Sequence, residues 1–219
     1  MWTAPAAADV GASVSFFSEA SFRGYSLSEG RPVGILNLSY DHPAGFYAAT
    51  SGTAVFGSSD LVEPLSLQLN GGYARRLGSD AVLDLGIAHS SYSQYASKGS
   101  SSYTEVYAGL SRKAVSARIS YAPHYFVHGA SAFYGEVDAN VSPMPKLNLN
   151  AHVGLLIPLD YSEEAEKPRN QHDWRIGVAR QVGRMSLHAF LTGGGPDPDY
   201  YRGHNHNRTN LVLGLSYPL

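Results

Sequence analysis

The sequence has no cysteine among its 219 residues. A disulfide-stabilised scaffold and a cysteine-ligated metal centre are therefore excluded. Charged residues make up only 16% of the chain, against about 25% in soluble domains. Hydrophobic residues reach 43% and aromatic residues 11%. This balance excludes an intrinsically disordered chain, which needs high charge and few aromatic residues.

Neither sign of charge dominates, since 16 basic and 18 acidic residues give a formal net charge of −2. A nucleic-acid-binding protein needs a basic excess, so we expect no nucleic-acid partner. No uncharged apolar stretch approaches the ~18 residues of a transmembrane helix. The chain is nevertheless rich in glycine and tyrosine, with 23 and 15 residues. Low charge combined with this composition is unusual for a soluble domain.

Residues 1–8 are mostly small and include no basic or long apolar segment. They are therefore not an intact secretory signal. The run of alanines is similar to the end of a cleaved signal, and a flexible terminus is the alternative. We treat residues 1–8 as one of these two and expect the patterned part of the chain to begin at Asp9.

The dominant pattern is a two-residue alternation of apolar and small polar side chains, which predicts β-strands with two different faces. No stretch of comparable length keeps a helical period with caps. The sequence therefore predicts an all-β chain. The clearest apolar faces are those of Leu65, Leu67 and Leu69; Leu83, Leu85 and Ile87; Val115, Ala117, Ile119 and Tyr121; Leu147, Leu149, Ala151, Val153 and Leu155; Met185, Leu187, Ala189 and Leu191; and Leu211, Leu213, Leu215 and Tyr217.

Turn residues divide the chain into about twelve strands, with ten and fourteen as the nearest alternatives. Short turns alternate strictly with longer polar loops, so one end of the sheet carries tight turns and the other carries long loops. The predicted strands are 9–25, 32–41, 45–57, 64–76, 81–93, 102–112, 114–125, 130–142, 146–159, 172–182, 184–194 and 207–218. The longer connections are 26–31, 57–63, 94–101, 126–129, 160–171 and 195–206.

Three features favour a membrane barrel over a soluble β-sandwich. Strands of ten or more residues can cross a bilayer core when tilted. The turn and loop asymmetry is typical of outer-membrane barrels, and so is a second face made of small polar residues. We therefore predict a single-domain, transmembrane, up-and-down antiparallel β-barrel over residues 9–219, in the outer membrane of a Gram-negative bacterium.

Aromatic residues near the strand ends predict two girdles at the membrane interfaces. The alternative is ordinary β-propensity, which also enriches tyrosine in strands. The girdle candidates are Tyr40, Phe46, Tyr47, Tyr73, Tyr92, Tyr103, Tyr121, Tyr125, Tyr161, Trp174, Tyr200, Tyr201 and Tyr217.

Three blocks of sequence stand out: Ser18 with the segment 22–26 (Phe-Arg-Gly-Tyr-Ser) and Pro32, the segment 45–48 (Gly-Phe-Tyr-Ala), and the segment 103–109 (Tyr-Thr-Glu-Val-Tyr-Ala-Gly). Together they resemble the TorF-like porin family of proteobacterial outer-membrane proteins. The blocks occur in the same order and span most of the chain. The resemblance implies an outer-membrane β-barrel and, through the family name, a pore. It implies no catalytic residues.

Alternation assigns a set of polar and ionisable side chains to the lumen, because exposing such groups to lipid would destabilise the barrel. They either hold the barrel wall together or form a constriction that selects solutes. Cross-strand ion pairs are expected between Glu105 and Arg118 and between Glu136 and His152. The lumen candidates are Asp84, Glu105, Arg118, Glu136, Asp138, Asn140, Asn148, Asn150, His152, Arg175 and His188.

Twelve strands lie between filled eight-stranded barrels and wide porins of sixteen or more. The predicted function is therefore a narrow porin-like channel for passive diffusion of ions or small polar solutes. A receptor, adhesin or scaffold acting through the long loops is the alternative. The expected partners are membrane lipids, lipopolysaccharide and small polar solutes, and the oligomeric state is left open.

A lipid hydrolase is a weaker alternative, because the long-loop end offers serine and histidine without a catalytic motif. We therefore predict no enzyme. The segment 203–207 (Gly-His-Asn-His-Asn) provides two histidines, which are too few for a metal site. No metal and no cofactor are predicted. The hydrolase candidates are Ser90 and Ser91 near His89, with His124 and His128 on a neighbouring loop and acidic residues in 160–166.

Overall fold

In the computed structural model, twelve antiparallel strands close into a barrel, which confirms the predicted fold class and strand number. The structure describes residues 8–57, 62–93, 100–125, 131–159, 170–195 and 209–219. The barrel strands are β1 (Asp9–Phe17), β4 (Val33–Asp41), β5 (Phe46–Phe56), β6 (Val62–Leu77), β7 (Ala81–Ser93), β8 (Ser100–Arg112), β9 (Val115–Ala122), β10 (Ala132–Met144), β11 (Leu147–Pro158), β12 (Gln171–Val182), β13 (Met185–Gly195) and β14 (Asn210–Pro218). Two short strands, β2 (Ser21–Phe22) and β3 (Tyr25–Ser26), form a separate hairpin.

Each barrel strand pairs with its neighbours along the chain, and β1 closes the sheet by pairing with β4 and β14. At the closure, Ser15 faces Ser216, and their hydroxyl oxygens lie 2.8 Å apart. Closure leaves no unpaired strand edge in the barrel. Within the described ranges, no helix is long and apolar enough to cross a membrane.

The alternating side chains give the barrel an apolar outer face. Leu85, Ile87 and Val106 on neighbouring strands are 47%, 52% and 53% exposed. A continuous band of exposed large apolar side chains is unfavourable in water and is typical of barrels surrounded by lipid. Alternation also directs the small polar residues to the inside of the barrel.

The first predicted strand, 9–25, is wrong at its end. β1 stops at Phe17, and the following residues turn back as a loop that contains the β2–β3 hairpin. The backbone N–H of Leu27 donates to the carbonyl of Ala20 at 2.8 Å, and the Ala20 N–H donates to the buried Ser28 hydroxyl at 2.9 Å. The sequence prediction runs one strand through this segment and misses the turn that follows Phe17.

The alternation places Leu65 on the same face as Leu67, but its side chain is only 2% exposed. The pairing of β5 and β6 shifts register here, since Thr53 pairs with Ser66 and the next pair skips Leu65. A bulge of one residue moves the side chain to the opposite face. Leu65 therefore joins a buried cluster inside the barrel that includes Val33 and Val55, with Phe17, Ala20, Leu27 and Ile35 packed against it.

Only part of the predicted aromatic girdle lies on the outer face of the barrel. Tyr40, Phe46 and Tyr73 are 42%, 60% and 36% exposed on the outer face near the short turns. Four tyrosines of the predicted set instead face the interior. They either share a face with inward residues of their strand or pack in a buried cluster at the long-loop end of the barrel. These are Tyr47, Tyr92, Tyr103 and Tyr125. Tyr161, Tyr200 and Tyr201, like most of the long loops 94–101, 160–171 and 195–206, lie outside the described residues.

Candidate functional site

The barrel encloses a cavity of about 790 Å³. Its walls come from strands all around the barrel, and the tip of the β2–β3 hairpin also lines it. Phe22 of the hairpin packs on Tyr92, with ring centroids 5.5 Å apart. An added Cβ at Gly24 would lie 3.0 Å from the Asp173 side chain, so the turn reaches β12. The hairpin therefore folds into the lumen at the long-loop end.

The two sides of the cavity differ in charge. The side formed by β1 and β4–β6 carries uncharged hydroxyl and amide groups from Ser13, Asn37, Ser39, Ser51, Gln68 and Asn70. The side formed by β8–β12 carries ionisable groups from Glu105, Arg118, Glu136, Asp138, His152, Asp173 and Arg175. The lumen therefore presents one neutral polar wall and one charged wall.

Arg118 on β9 is the centre of the first group of charges. It lies directly opposite Glu136 on β10, and its Nε atom is 3.9 Å from that carboxylate. Its Nη2 atom is 3.2 Å from Asp84 on β7. The Tyr47 hydroxyl donates to Asp84 at 2.5 Å and also contacts the Tyr107 hydroxyl. This network connects five strands across the inner wall.

His152 on β11 is the centre of the second group. Its Nδ1 atom lies 2.9 Å from Asp138, and its Nε2 atom lies 2.9 Å from Asp173. Both nitrogens can donate to carboxylates only when the imidazole is doubly protonated. The Tyr134 hydroxyl donates to Asp173 at 3.0 Å. Neutral and charged groups therefore form one hydrogen-bonded cluster.

Three side chains of this region could offer ligand atoms to a metal ion. One ligand atom each from Glu136, Asp138 and His152 lies within 4.8 Å of the others. However, both nitrogens of His152 already lie against carboxylates. A metal would have to replace a proton and break one of these pairs, so the geometry favours the ion-paired cluster.

Arg23 at the tip of the hairpin lies against the charged wall at the long-loop end of the barrel. Its Nη2 atom lies 3.0 and 2.8 Å from the two carboxylate oxygens of Glu105 on β8. The side chains of Arg23 and Glu105 are only 7% and 12% exposed. Four aromatic rings surround the guanidinium group, with centroids at 3.9 Å for Tyr134, 4.9 Å for Phe22, 5.4 Å for Tyr125 and 5.8 Å for Tyr103.

The rings around Arg23 also pack on one another. The Tyr103 and Tyr125 centroids lie 4.9 Å apart in an edge-to-face arrangement, and Tyr92 stacks on Tyr103 at 6.4 Å. Burial raises the pKa of the Tyr125 phenol to about 12. The ring therefore stays neutral at physiological pH. Neutral aromatic faces attract a cation through the ring quadrupole.

Six of the eleven residues predicted to face the lumen line this cavity: Glu105, Arg118, Glu136, Asp138, His152 and Arg175. Arg175 lies 5.7 Å from the Phe190 ring centroid. The other five lie elsewhere on the inner face, among them Asn140, which lies directly opposite Asn150 on β11. Asp84 is bonded to Tyr47, the Asn148 amide donates to Ser142, Asn150 lies over Gly177, and the His188 ring lies 5.7 Å from Phe17.

The two predicted cross-strand pairs are wrong. Glu105 pairs with Arg23 rather than Arg118, and His152 pairs with Asp138 rather than Glu136. Register explains the second case, since Asp138 lies directly opposite His152. The prediction also missed Arg23 and Asp173. Asp173 shares a face with Arg175 and could have been found by alternation, whereas nothing in the pattern directed Arg23 into the lumen.

The hydrolase candidates are divided between the two faces of β7. Ser90 is buried inside the barrel, whereas His89 and Ser91 lie on the outer face. The Nε2 atom of His89 lies 3.2 Å from the Ser91 hydroxyl, and Nδ1 lies 2.9 Å from the Thr104 hydroxyl. An oxyanion hole needs free hydrogen-bond donors, whereas the backbone donors in this region pair in the β6–β7–β8 ladder. His128 lies outside the described residues.

Residues 2–211 match a family described as "Bacterial protein of unknown function (Gcw_chp)". The chain belongs to this Gcw_chp family. The match covers nearly the whole barrel, from before β1 into β14. No curated protein matches the sequence.

Solved porin structures share the fold of this Gcw_chp member. The porin NanC in a rhombohedral crystal form is similar with a TM-score of 0.63 at 11% identity, over 95% of this chain and 100% of that one. The porin KdgM is similar with a TM-score of 0.59 at 10% identity, over 94% and 98%. A KdgM structure in complex with disordered oligogalacturonate gives a TM-score of 0.56 at 9% identity, over 95% and 98%. At these identities the likeness concerns the fold alone.

Proposed function

We propose that this protein is an outer-membrane channel for passive diffusion of ions and small polar solutes. The observation that carries the proposal is the cavity of about 790 Å³ inside a closed barrel, lined on one side by hydroxyls and amides and on the other by charged groups. A polar interior inside an apolar exterior is the arrangement of water-filled barrels in the outer membrane. The resemblance to TorF-like porins and the porin fold both support it.

The hairpin makes the proposed channel narrow. Its tip packs against the inner wall at the long-loop end, where Phe22 meets Tyr92 and Arg23 meets Glu105. The free path is therefore set by the space beside the hairpin rather than by the barrel diameter. Small solutes fit such a path better than folded or branched ones.

The charged groups of the wall also restrict the charge of the solutes that the proposed channel would pass. Arg23 and Arg118 form ion pairs with carboxylates. Among the described lumen arginines, only Arg175 contacts an aromatic ring and has no carboxylate partner. The oligogalacturonate of the KdgM complex is a chain of carboxylate-bearing sugars. Because few cationic groups are available to such a chain here, we propose small neutral or cationic solutes instead.

Conductance in planar lipid bilayers tests the proposal. The matched variant replaces residues 21–26 with two glycines. Leu27 and Ala20 are already hydrogen bonded at 2.8 Å and can flank the new two-residue turn. We expect a small single-channel conductance for the wild-type protein and a larger one for the shortened variant. Absence of current above leak in both refolded proteins would contradict the proposal.

A further inference from the structure

The surroundings of Arg23 belong mostly to the barrel wall and not to the hairpin that inserts it. We use the name tyrosine cage for the rings of Tyr103, Tyr125 and Tyr134 together with the Glu105 carboxylate. Tyr103 and Glu105 lie on β8, Tyr134 lies on β10, and Tyr125 follows β9. The wall therefore builds the cage, and the hairpin supplies the cation.

The tyrosine cage is held by contacts that do not involve Arg23. The Tyr134 hydroxyl lies 3.0 Å from an Asp173 oxygen and 3.2 Å from His152 Nε2. Tyr103 and Tyr125 pack edge to face at 4.9 Å. A site whose groups are fixed before the ligand arrives loses little entropy on binding. We therefore expect the cage to keep its shape without the arginine side chain.

The backbone at Arg23 is unfavourable for an arginine. Arg23 has φ of 45° and Gly24 has φ of 81°, in a two-residue turn between Phe22 and Tyr25. This turn favours asparagine, aspartate or glycine at its first position, because other residues are strained in the left-handed region. An arginine at this strained position, with its side chain directed into the cage, indicates that a positive charge is required in the cage.

We infer that the tyrosine cage is a cation-binding site of the lumen, selective for solutes that carry a guanidinium or alkylammonium group, and that Arg23 occupies it as a tethered ligand. Aromatic faces with one carboxylate are suited to such cations. Tyr103, Glu105 and Tyr134 also line the cavity, so a small solute in the lumen reaches the site. The cage holds one cation, so solute and Arg23 exclude each other.

Binding is tested with the guanidinium ion, and urea serves as the neutral molecule of the same shape. In detergent micelles, millimolar guanidinium chloride should raise the thermal midpoint of Arg23→Ala in a saturable way, while urea at the same concentration should not. The wild-type protein should need at least about tenfold more guanidinium for the same shift, because its tethered arginine competes at high effective concentration.

Two further variants test whether the guanidinium shift comes from the tyrosine cage. Adding Glu105→Gln to Arg23→Ala removes the carboxylate and should abolish the guanidinium shift. Arg175→Ala removes an arginine from the same lumen, where Phe190 is its aromatic contact, and should need as much guanidinium for the shift as the wild-type protein does. Equal effects of guanidinium and urea on Arg23→Ala, or a shift that survives Glu105→Gln, would overturn the inference.

If Arg23→Ala does not refold, Arg23→Gln is titrated in the same way, since it keeps a planar amide in the cage. The inference goes beyond the proposed channel and does not depend on it. Binding of guanidinium without measurable current would contradict the channel alone. Current without saturable guanidinium binding to either Arg23 variant would contradict the cation site alone.

Discussion

Arg23 and Glu105 are 82 positions apart in the sequence, yet the Arg23 Nη2 atom lies 3.0 and 2.8 Å from the two Glu105 carboxylate oxygens inside the barrel. The pair joins the tip of the β2–β3 hairpin to β8 on the opposite wall. It is almost fully shielded from solvent, with side chains 7% and 12% exposed. The position of the hairpin in the lumen therefore depends on one buried ion pair and the rings around it.

Breaking this pair should strongly destabilise the protein. Arg23→Ala and Glu105→Ala should each lower the free energy of unfolding by about 3 kcal/mol, because each leaves a buried charge without its partner. The double variant should lose about 2 kcal/mol less than the sum. Urea unfolding of the refolded protein in lipid vesicles measures all three values.

The exposed pair of Arg112 and Asp80 is the control for that cycle. Its atoms lie 3.9 Å apart, and its side chains are 69% and 39% exposed. Such pairs contribute less than about 1 kcal/mol. A coupling energy at Arg23 and Glu105 as small as this control would show that the hairpin is held by other contacts.

Neutralising the lumen arginines should shift ion selectivity toward cations. Arg118→Gln frees the carboxylates of Asp84 and Glu136, and Arg175→Gln removes a positive charge that no described carboxylate pairs with. The reversal potential under a salt gradient reports the change. Arg180→Gln is the control, because Arg180 shares the outer face of β12 with Ile176 and Val178. Unchanged reversal potentials in both lumen variants would refute their placement in the conducting path.

Leu65→Ala should be more costly than a leucine truncation on the outer face. Leu65 is 2% exposed in a cluster with Val33 and Val55, whereas Leu67 is 47% exposed. Loss of a buried leucine side chain leaves a cavity and costs about 2–4 kcal/mol. Leu67→Ala leaves no such cavity and should cost less. Similar losses in equilibrium unfolding would mean that the bulge at Leu65 does not turn its side chain inward.

Gly154→Ala should disturb the His152 cluster through a steric overlap. A Cβ at Gly154 would overlap the Tyr134 hydroxyl oxygen and approach the Asp173 carboxylate, whereas a Cβ at Gly135 meets nothing within 4 Å. Overpacking of this kind costs about 1–3 kcal/mol. Gly135→Ala on the outer face of β10 should be nearly neutral. Equal unfolding free energies for the two variants would contradict the close packing of Tyr134 over Gly154.

The faces of the strands were predictable because side chains alternate strictly along a β-strand. On β11, the alternation correctly separated Leu149 and Val153, which are exposed outside, from His152, which lines the cavity. The same rule directed six predicted residues to one cavity. It failed at Leu65, where a single extra residue reverses the face and leaves no mark in the apolar pattern.

The sequence by itself determined the barrel, its strand number and its two faces, because these depend on local alternation and on turn residues. The tertiary structure decided which charges meet. The sequence pattern places Arg23 in a strand, and only the closed barrel shows that its hairpin folds inward to Glu105 and the tyrosine cage. Contacts between residues so far apart in the chain depend on packing within the enclosed lumen, which no local pattern encodes.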